Sequence, residues 1–549
     1  MKTKFLRGIL MTAVFIIIFL LSIKTKNEEK EQEETGESFT TALWFSDVNF
    51  WNPPFWSTET GTVTGDITAK TGLALDITVP EENGDSRLNL MLINGNLPDI
   101  ISVMDKKMIH HLVKSGKVWK LEDFLGIYRP DSHLLKDFPE DVKKSLQKRD
   151  GAWYAIPSHM VSADNRELYP PAEDFWLEDT QYADGKTIIW NKSLLKRLGI
   201  TMDKLQTEEQ VMAAFQKALD RKLTIDGNKV IPLLVDGTDY QEHTLVALQN
   251  FFGAEFIDDK GQYQDRILAP ESKHALRFLN TAIRRGYLDA DYFMIDNIQV
   301  KEYMASGRVL CFIGNVTNTG IAENEWYSSA PILSDENTRP VLGISIQTTC
   351  GWISTFISKE CKNPEAVAKW IDYMTGREGM LFANYGYEGR DYVLDRKGLV
   401  KVTQQGEKNR KEYSSTGISA WWPFVNIDWY FSVMPKPRQG EDVLAKYQIL
   451  CALGKYDATS VFDLSLVDIP VDYLDTNDIL SDLETQINQY KRSQITAIIL
   501  SAEEAIFEKR YLNMISRMEE MGIVKIDDMK DRIYQQNCEE YQSRIIKVN

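Results

Sequence analysis

Trp44, Trp51 and Trp56 stand close together at the end of the apolar segment "FTTALWF", Trp190 closes "KTIIW", and Trp352, Trp421, Trp422 and Trp429 follow later in the chain. The full count of tryptophans is 13. A flat ring beside polar groups suits the C–H face of a sugar, whose hydroxyl edge then needs placed hydrogen bonds. The competing reading of each tryptophan is core packing. A position at a strand end favours the binding role for Trp44 and Trp190.

Motifs of covalent chemistry are missing. There is no Gly-x-Ser-x-Gly elbow, no phosphate-binding loop, no His-Glu-x-x-His and no Cys-x-x-Cys pair. His110 and His111 are adjacent, which turns them to different faces of a helix and argues against shared metal ligation. Carboxylates are abundant, so composition leaves a hydrolytic pair open, but nothing singles one out.

The elements that would carry these residues alternate. "FTTALWF" reads as a strand, a helix runs to the stop at Lys70-Thr71-Gly72, and "LALDITV" reads as a second strand. Leu88 to Ile93 open another helix and "PDIISV" a third strand. Such alternation predicts a parallel sheet covered by helices on both faces, with ligands bound beyond the carboxyl ends of the strands. Val103, Met104 and Asp105, just after "DIIS", are therefore expected at a binding rim. A second α/β body is expected from "KTIIW" and "NKSLLKRLGI" onward, with an amphipathic helix capped near Thr207. Pro270 and Pro364 mark the first turns of later helices, and Gly286 and Gly522 mark helix stops. Ser501 and Glu504 fit a capping box.

With 549 residues, 43% of them hydrophobic, the chain predicts at least two globular domains. A net charge of -17 argues against a nucleic-acid partner. Lys2, Lys4 and Arg7 precede the apolar run Ile9 to Ile23, and an acidic stretch, "NEEKEQEETGES", follows. This is an export signal whose length falls between a signal-peptide core and a short membrane span. No Ala-x-Ala-like site follows it and the first cysteine is Cys311, so an uncleaved anchor (1–23) with a solvated spacer (24–38) is expected, its body facing outward. The cysteines, Cys311, Cys350, Cys361, Cys451 and Cys538, are few and widely spaced, so no disulfide framework is expected, although export would permit one bridge.

The order of segments resembles the family 1 extracellular solute-binding proteins of bacterial ABC importers, in their large sugar-binding branch. Its carriers include "ITAKTGLALDITV", "LNLMLINGNLPDIIS", "DGAWYAIP", "IIWNKSLLKRLGIT", "YMASGRVLCFIGN" and "NPEAVAKWIDYMTGREGMLFANYGYEG". The resemblance implies an α/β, two-lobed periplasmic-binding-protein-like fold of type II. Crossing strands would join the lobes, and a solute would be held in the cleft by hinge closure. It places lobe 1 at 39–156 and 333–390 and lobe 2 at 157–332 and 391–549. Crossings are implied near Ile156 to Ser158, Ala330 to Leu333 and Tyr387 to Tyr392.

Residue by residue, the resemblance implies ligand contacts at Trp44 and Trp51, Met104 and Asp105, Tyr154, Trp190 and Asn191, and Asn315 and Thr317, with looser matches at Trp352, Trp421 and Trp422. The implied partners are a carbohydrate, the permease subunits of an importer and, through the N-terminal segment, the membrane; no cofactor is implied. Two departures stand out. The lipid-anchoring cysteine usual in Gram-positive relatives is missing, and "LDRKLTIDGNKVIPLL" lacks the alternating oxygen ligands of the calcium loop that some relatives carry there, so no metal is expected. A membrane-tethered carbohydrate sensor and a polysaccharide-degrading hydrolase remain as alternative functions.

Overall fold

The computed structural model describes residues 39–345, 349–467, 478–541 and 546–547, so the expected anchor and spacer lie outside the described residues. The chain forms two compact units. One comprises the residues through Phe138 with Ala152–His159 and Cys350–Asn426; the other comprises Pro139–Gly151, Met160–Thr349 and Ile427–Asn549.

The two larger sheets use strands β1 (Thr40–Ser46), β2 (Leu73–Thr78), β3 (Ile100–Val103), β4 (Ile156–Pro157), β5 (Lys186–Asn191), β6 (Ile231–Val235), β7 (Val309–Asn315), β8 (Trp326–Ser328) and β9 (Ser354–Ile357). In the first unit the order is β2-β1-β3-β9-β4. There β1 is parallel to β2 and β3, whereas β9 is antiparallel to β3 and β4, with Ser354 opposite both Val103 and Pro157. The start of β9 therefore lies at the edge where β1, β3 and β4 end. In the second unit the order is β8-β5-β7-β6. Here β6 and β7 are parallel, but β5 runs against β7, with Trp190 opposite Cys311 and Lys186 opposite Asn315. Both sheets are thus mixed, not parallel throughout as the alternating pattern predicts. A buried antiparallel strand such as β5 carries the same continuous apolar run as a parallel one, so pattern alone cannot tell its direction.

Helix boundaries follow local chemistry. Thr62 caps Val63–Thr71 by accepting from the Gly65 N–H, and Gly72 ends it at φ 76°. Thr207 and Gln210 form a reciprocal capping box on Glu208–Arg221. Pro270 and Pro364 open Pro270–Arg284 and Pro364–Thr375, and Gly522 closes Glu504–Met521 at φ 104°. The box expected from Ser501 does not form. Glu503 is the cap residue, and the Ser501 hydroxyl donates back to the Ala497 carbonyl.

Each unit has its own core. Phe45, Leu88, Ile101, Leu112 and Phe356 pack together in the first; Ile188, Phe215, Leu233, Phe251 and Leu276 in the second, joined there by Ile498, Phe507 and Met514 from C-terminal helices. Each such side chain, once fully buried, contributes roughly 1.5–3 kcal/mol.

Four stretches fall in the other unit from the one expected, the shortest being residues 157–159, expected in lobe 2 and found in the first unit. Residues 391–426, expected in lobe 2, belong to the first unit, because the Trp51 indole N–H donates to the Ala420 carbonyl and Trp56 meets Trp421 edge-on. Residues 333–349, expected in lobe 1, belong to the second, where Val341–Ile344 pairs with Ser460–Asp463. Helix Glu140–Asp150 also joins the second unit, its Asp141 exchanging N–H to carboxylate bonds with Asp164.

The stretch expected to replace a calcium loop is a hairpin between Thr224–Ile225 and Asn228–Lys229. Asp226 and Gly227 both have positive φ, 48° and 79°, as a two-residue type I′ turn requires. Among the described residues, no cluster of three His, Cys, Asp or Glu side chains is arranged to hold a metal, and no helix is long and apolar enough to cross a membrane.

Candidate binding site

Asp47 follows β1 directly. Its carboxylate accepts the N–H groups of Met104 (2.9 Å) and Asp105 (3.3 Å), tying the end of β1 to the end of β3. Burial pushes this carboxyl up to about 6, against the opposing pull of those two N–H groups. Asp105 spends its own side chain as an N-cap on Met108 N–H, and Met104 is 38% exposed.

The loop that continues from Asp47 is held by indoles. Trp51 donates to Ala420 O (2.8 Å) and Trp56 donates to Thr68 Oγ1 (2.9 Å). Trp44 donates to Ser102 Oγ (2.9 Å) and packs its ring among Trp51, Trp370 and Phe424. Trp44, Trp51 and Trp421 are buried, so these three indoles build the core under the loop instead of lining a surface as expected. The physical reason is volume. An indole next to a strand end fills the gap between sheet and loop, and its single N–H is satisfied by one local acceptor.

Immediately before Trp51 stands Phe50, 53% exposed. It stacks on Trp352 (centroids 5.7 Å apart, 24° between planes) and meets Trp422 (6.2 Å, 38°). Trp352, 39% exposed, also meets His159 (5.5 Å), and Trp422 meets Tyr413 (5.8 Å). The result is a connected cluster of rings with Phe50 at its middle, in which Phe50 and Trp352 are exposed and Trp422 is half-buried. It lies at the carboxyl edge of the sheet: Phe50 follows β1, His159 follows β4, and Trp352 precedes the reversed β9.

Backbone packing fixes Trp352. Gly351 before it has φ 56°, and a Cβ there would fall 1.7 Å from the Ser158 carbonyl oxygen. Ser158 Oγ accepts from the Ile353 N–H and bonds His159 Nδ1 (3.0 Å). The hydroxyl has a second lone pair and one proton, so it can either donate to Nδ1 or accept from it. Burial lowers His159 to about 4, so it stays neutral at physiological pH. Tyr154 is half-buried against the core that holds Phe45 and Phe356.

In the second unit, Trp190 is wholly buried. Its indole N–H donates to Ser329 Oγ (2.9 Å). Because β5 is reversed, Trp190 and Asn191 sit at the edge opposite to the carboxyl ends of β6 and β7, which removes the basis for expecting them at a binding rim. Asn191 caps the helix Lys192–Leu198 through Leu194 N–H. At the true carboxyl edge, buried Asp236 accepts the Asn315 N–H (2.8 Å) and bonds His243 Nδ1 (2.7 Å). Asn315 Oδ1 accepts from both the N–H and the hydroxyl of Thr317. Asp184 pairs with Lys186 at 2.6 Å. Asn315 and Thr317 thus lie at this edge with a carboxylate–imidazole pair beside them.

Phe50, Tyr413, His159, Asp236 and His243 escape a reading that weighs tryptophans alone. The signal for Phe50 was present, since it lies in the same post-strand loop as Trp51.

Comparison with known proteins adds the family. Residues 57–381 match the model of the bacterial extracellular solute-binding protein family. Polygalacturonan/rhamnogalacturonan-binding protein YtcQ of Bacillus subtilis is 24% identical over 263 residues, which is 46% of this chain and 46% of YtcQ, so the match spans about half the length of that relative. Lipoprotein LipO of the same organism is 22% identical over 383 residues, 64% of this chain and 67% of LipO. In structure, the S. pneumoniae ABC-transporter substrate binding protein FusA, in complex with kestose, aligns with a TM-score of 0.66 at 17% identity, covering 92% of this chain and 99% of that one. That likeness establishes the type II, α/β solute-binding fold. With the family model covering more than half of the sequence, the chain belongs to the bacterial extracellular solute-binding proteins.

Proposed function

We propose that this protein binds an oligosaccharide outside the membrane and delivers it to an ABC importer. The observation that carries this is the pair of exposed rings Phe50 and Trp352 at the carboxyl edge of the first sheet, with the half-buried Trp422 against Phe50. Flat apolar faces for sugar C–H groups and a neutral His159 imidazole that can exchange a hydrogen bond with a hydroxyl are the complement that a carbohydrate offers. The relatives point the same way: one is named for binding polygalacturonan and rhamnogalacturonan, and a structural neighbour is described with kestose.

Hydrolysis is disfavoured by the hydrogen bonds of its natural candidates. Asp47 uses both carboxylate oxygens on backbone N–H groups and Asp105 is committed to a cap, so neither is poised to protonate or attack a glycosidic bond. Permease subunits are the proposed partners, and the apolar run before residue 24 is the proposed membrane anchor. A thermal-shift screen against a sugar library tests the binding reading, because a ligand of the folded state raises the melting temperature. Silence across neutral and acidic oligosaccharides would overturn it, and any cleavage product after incubation would return the hydrolase reading. Mass spectrometry of the mature protein tests the anchor; an N-terminus between residues 24 and 40 would eliminate it.

A further inference from the structure

In the second unit, the segment from Ile257 to Arg266 is fastened by charged side chains to two C-terminal helices, Asp478–Ile499 and Ile523–Tyr541. From the last helix, Asp527 accepts the Asp265 N–H (3.1 Å) and Asp531 accepts the Tyr263 N–H (2.8 Å). From the other, Lys491 pairs with the Asp265 carboxylate, and Glu484 pairs with Lys530, which lies 5.9 Å from the centre of the Tyr263 ring. Arg266 turns away, donating to Asn250 Oδ1 and the Ala254 carbonyl. Asp531 is half-buried and also accepts from Gln535. Inside, the charges do not balance. Lys491 and Lys530 face the carboxylates of Asp265, Glu484 and Asp527, and each lysine is already paired with one of the first two. Buried Asp527 is left over, and its hydrogen bond comes from the residue that carries the adjacent carboxylate. A buried carboxyl with no cation of its own is stabilised by keeping its proton. Burial, with Asp265 beside it, pushes Asp527 up to about 7, while Lys491 holds Asp265 below its usual value in spite of burial.

We propose that Asp527 is the latch of a proton-operated clamp: its protonated carboxyl holds the segment 257–266 against the C-terminal helices, and loss of that proton leaves two adjacent carboxylates charged and loosens both. The helices are no mere tail. They supply Ile498, Phe507 and Met514 to the core of the second unit, so the clamp carries pH into its packing. The direction follows from the folded value of about 7, which lies above the ordinary 3.8. The latch's contribution is fully present below 3.8 and is lost as pH rises through about 7.

Hydrogen exchange read by mass spectrometry on the full chain, corrected for the intrinsic effect of pH on exchange, tests this without any ligand. Protection of residues 257–266 and 523–541 should fall by about tenfold between pH 6 and pH 8, while the β3 strand of the first unit stays level. Asp527→Asn carries a neutral amide at every pH, so its protection at pH 8 should equal that at pH 6. Asp531→Asn, at the half-buried edge, should keep the native pH response. If Asp527→Asn does not fold, Asp527→Ser gives the same comparison with another neutral acceptor. Protection that is independent of pH in the native chain, or a pH response that persists in the Asp527 variant, would overturn the clamp. So would a loss spread evenly over both units.

Discussion

Trp190 stacks on Phe215, with ring centroids 5.6 Å apart and 27° between the planes, inside the core of the second unit. The contact joins β5 to the helix Glu208–Arg221 and leaves the indole no solvent-facing side. Truncation should therefore act on folding. Trp190→Ala is expected to cost about 3–5 kcal/mol of stability, read by denaturant melts. Sugar affinity of the remaining folded protein should be unchanged by calorimetry; a loss of affinity at full stability would contradict the core placement.

Trp352 should behave in the opposite way. It is partly exposed, with one side given to Phe50, so Trp352→Ala is expected to weaken oligosaccharide binding by about 1–3 kcal/mol. Its unfolding midpoint should move by no more than about 0.5 kcal/mol in equivalent stability. Titration calorimetry beside a urea melt separates the two effects.

Trp51→Phe keeps most of the buried ring but deletes the donor to the Ala420 carbonyl. An acceptor left unpaired in a buried site costs about 1–3 kcal/mol, which the urea melt should show. Affinity should also fall, because the loop that presents Phe50 loses an anchor. In a Phe50→Ala background that second effect should vanish, a coupling read by a double-mutant cycle.

His159 gives a pH signature. Its folded value of about 4 lies below the ordinary histidine value of 6.5, so its contribution to stability is fully present above 6.5 and is lost as pH falls toward 4. Between pH 7 and pH 5 the native protein should lose stability relative to His159→Gln. A difference between the two proteins that stays flat across that window would show that the ring is not held neutral.

Gly351→Ala tests the support of Trp352. The new Cβ would collide with the Ser158 carbonyl at a φ that L-residues rarely adopt, so a stability loss on the order of 2 kcal/mol is expected. Sugar affinity should fall with it, since Trp352 is the next residue.

Much of the fold was legible because local chemistry decides it. Thr62 with Gly72, Thr207 with Gln210, and Pro270 and Pro364 each fix an element boundary within a few residues of sequence. Strand direction was not legible: Lys186–Asn191 reads the same in either sense, and only its pairing with Val309–Asn315 sets Trp190 at the far edge. For the site, the loop after β1 was visible but the division of labour within it was not. Trp51 and Phe50 are neighbours in sequence, yet one finds an acceptor at Ala420 and turns inward while the other has no polar atom to satisfy and meets Trp352. Ala420 and Trp352 are hundreds of residues away, beyond the reach of any window.

The paired indole anchors of the loop after β1 bear on the thermodynamics of capture. A side chain that folding has already immobilised surrenders little conformational entropy when a ligand arrives, whereas ordering a free one costs about 0.5–1.5 kcal/mol. Trp51, Trp56 and the Gly351–Ser158 backbone contact impose that ordering on Phe50 and Trp352 in advance. If the solute is the proposed sugar, affinity would be drawn from contact with it and from released water, and loosening the anchors would appear first as an unfavourable entropy of association while the aromatic residues themselves were untouched.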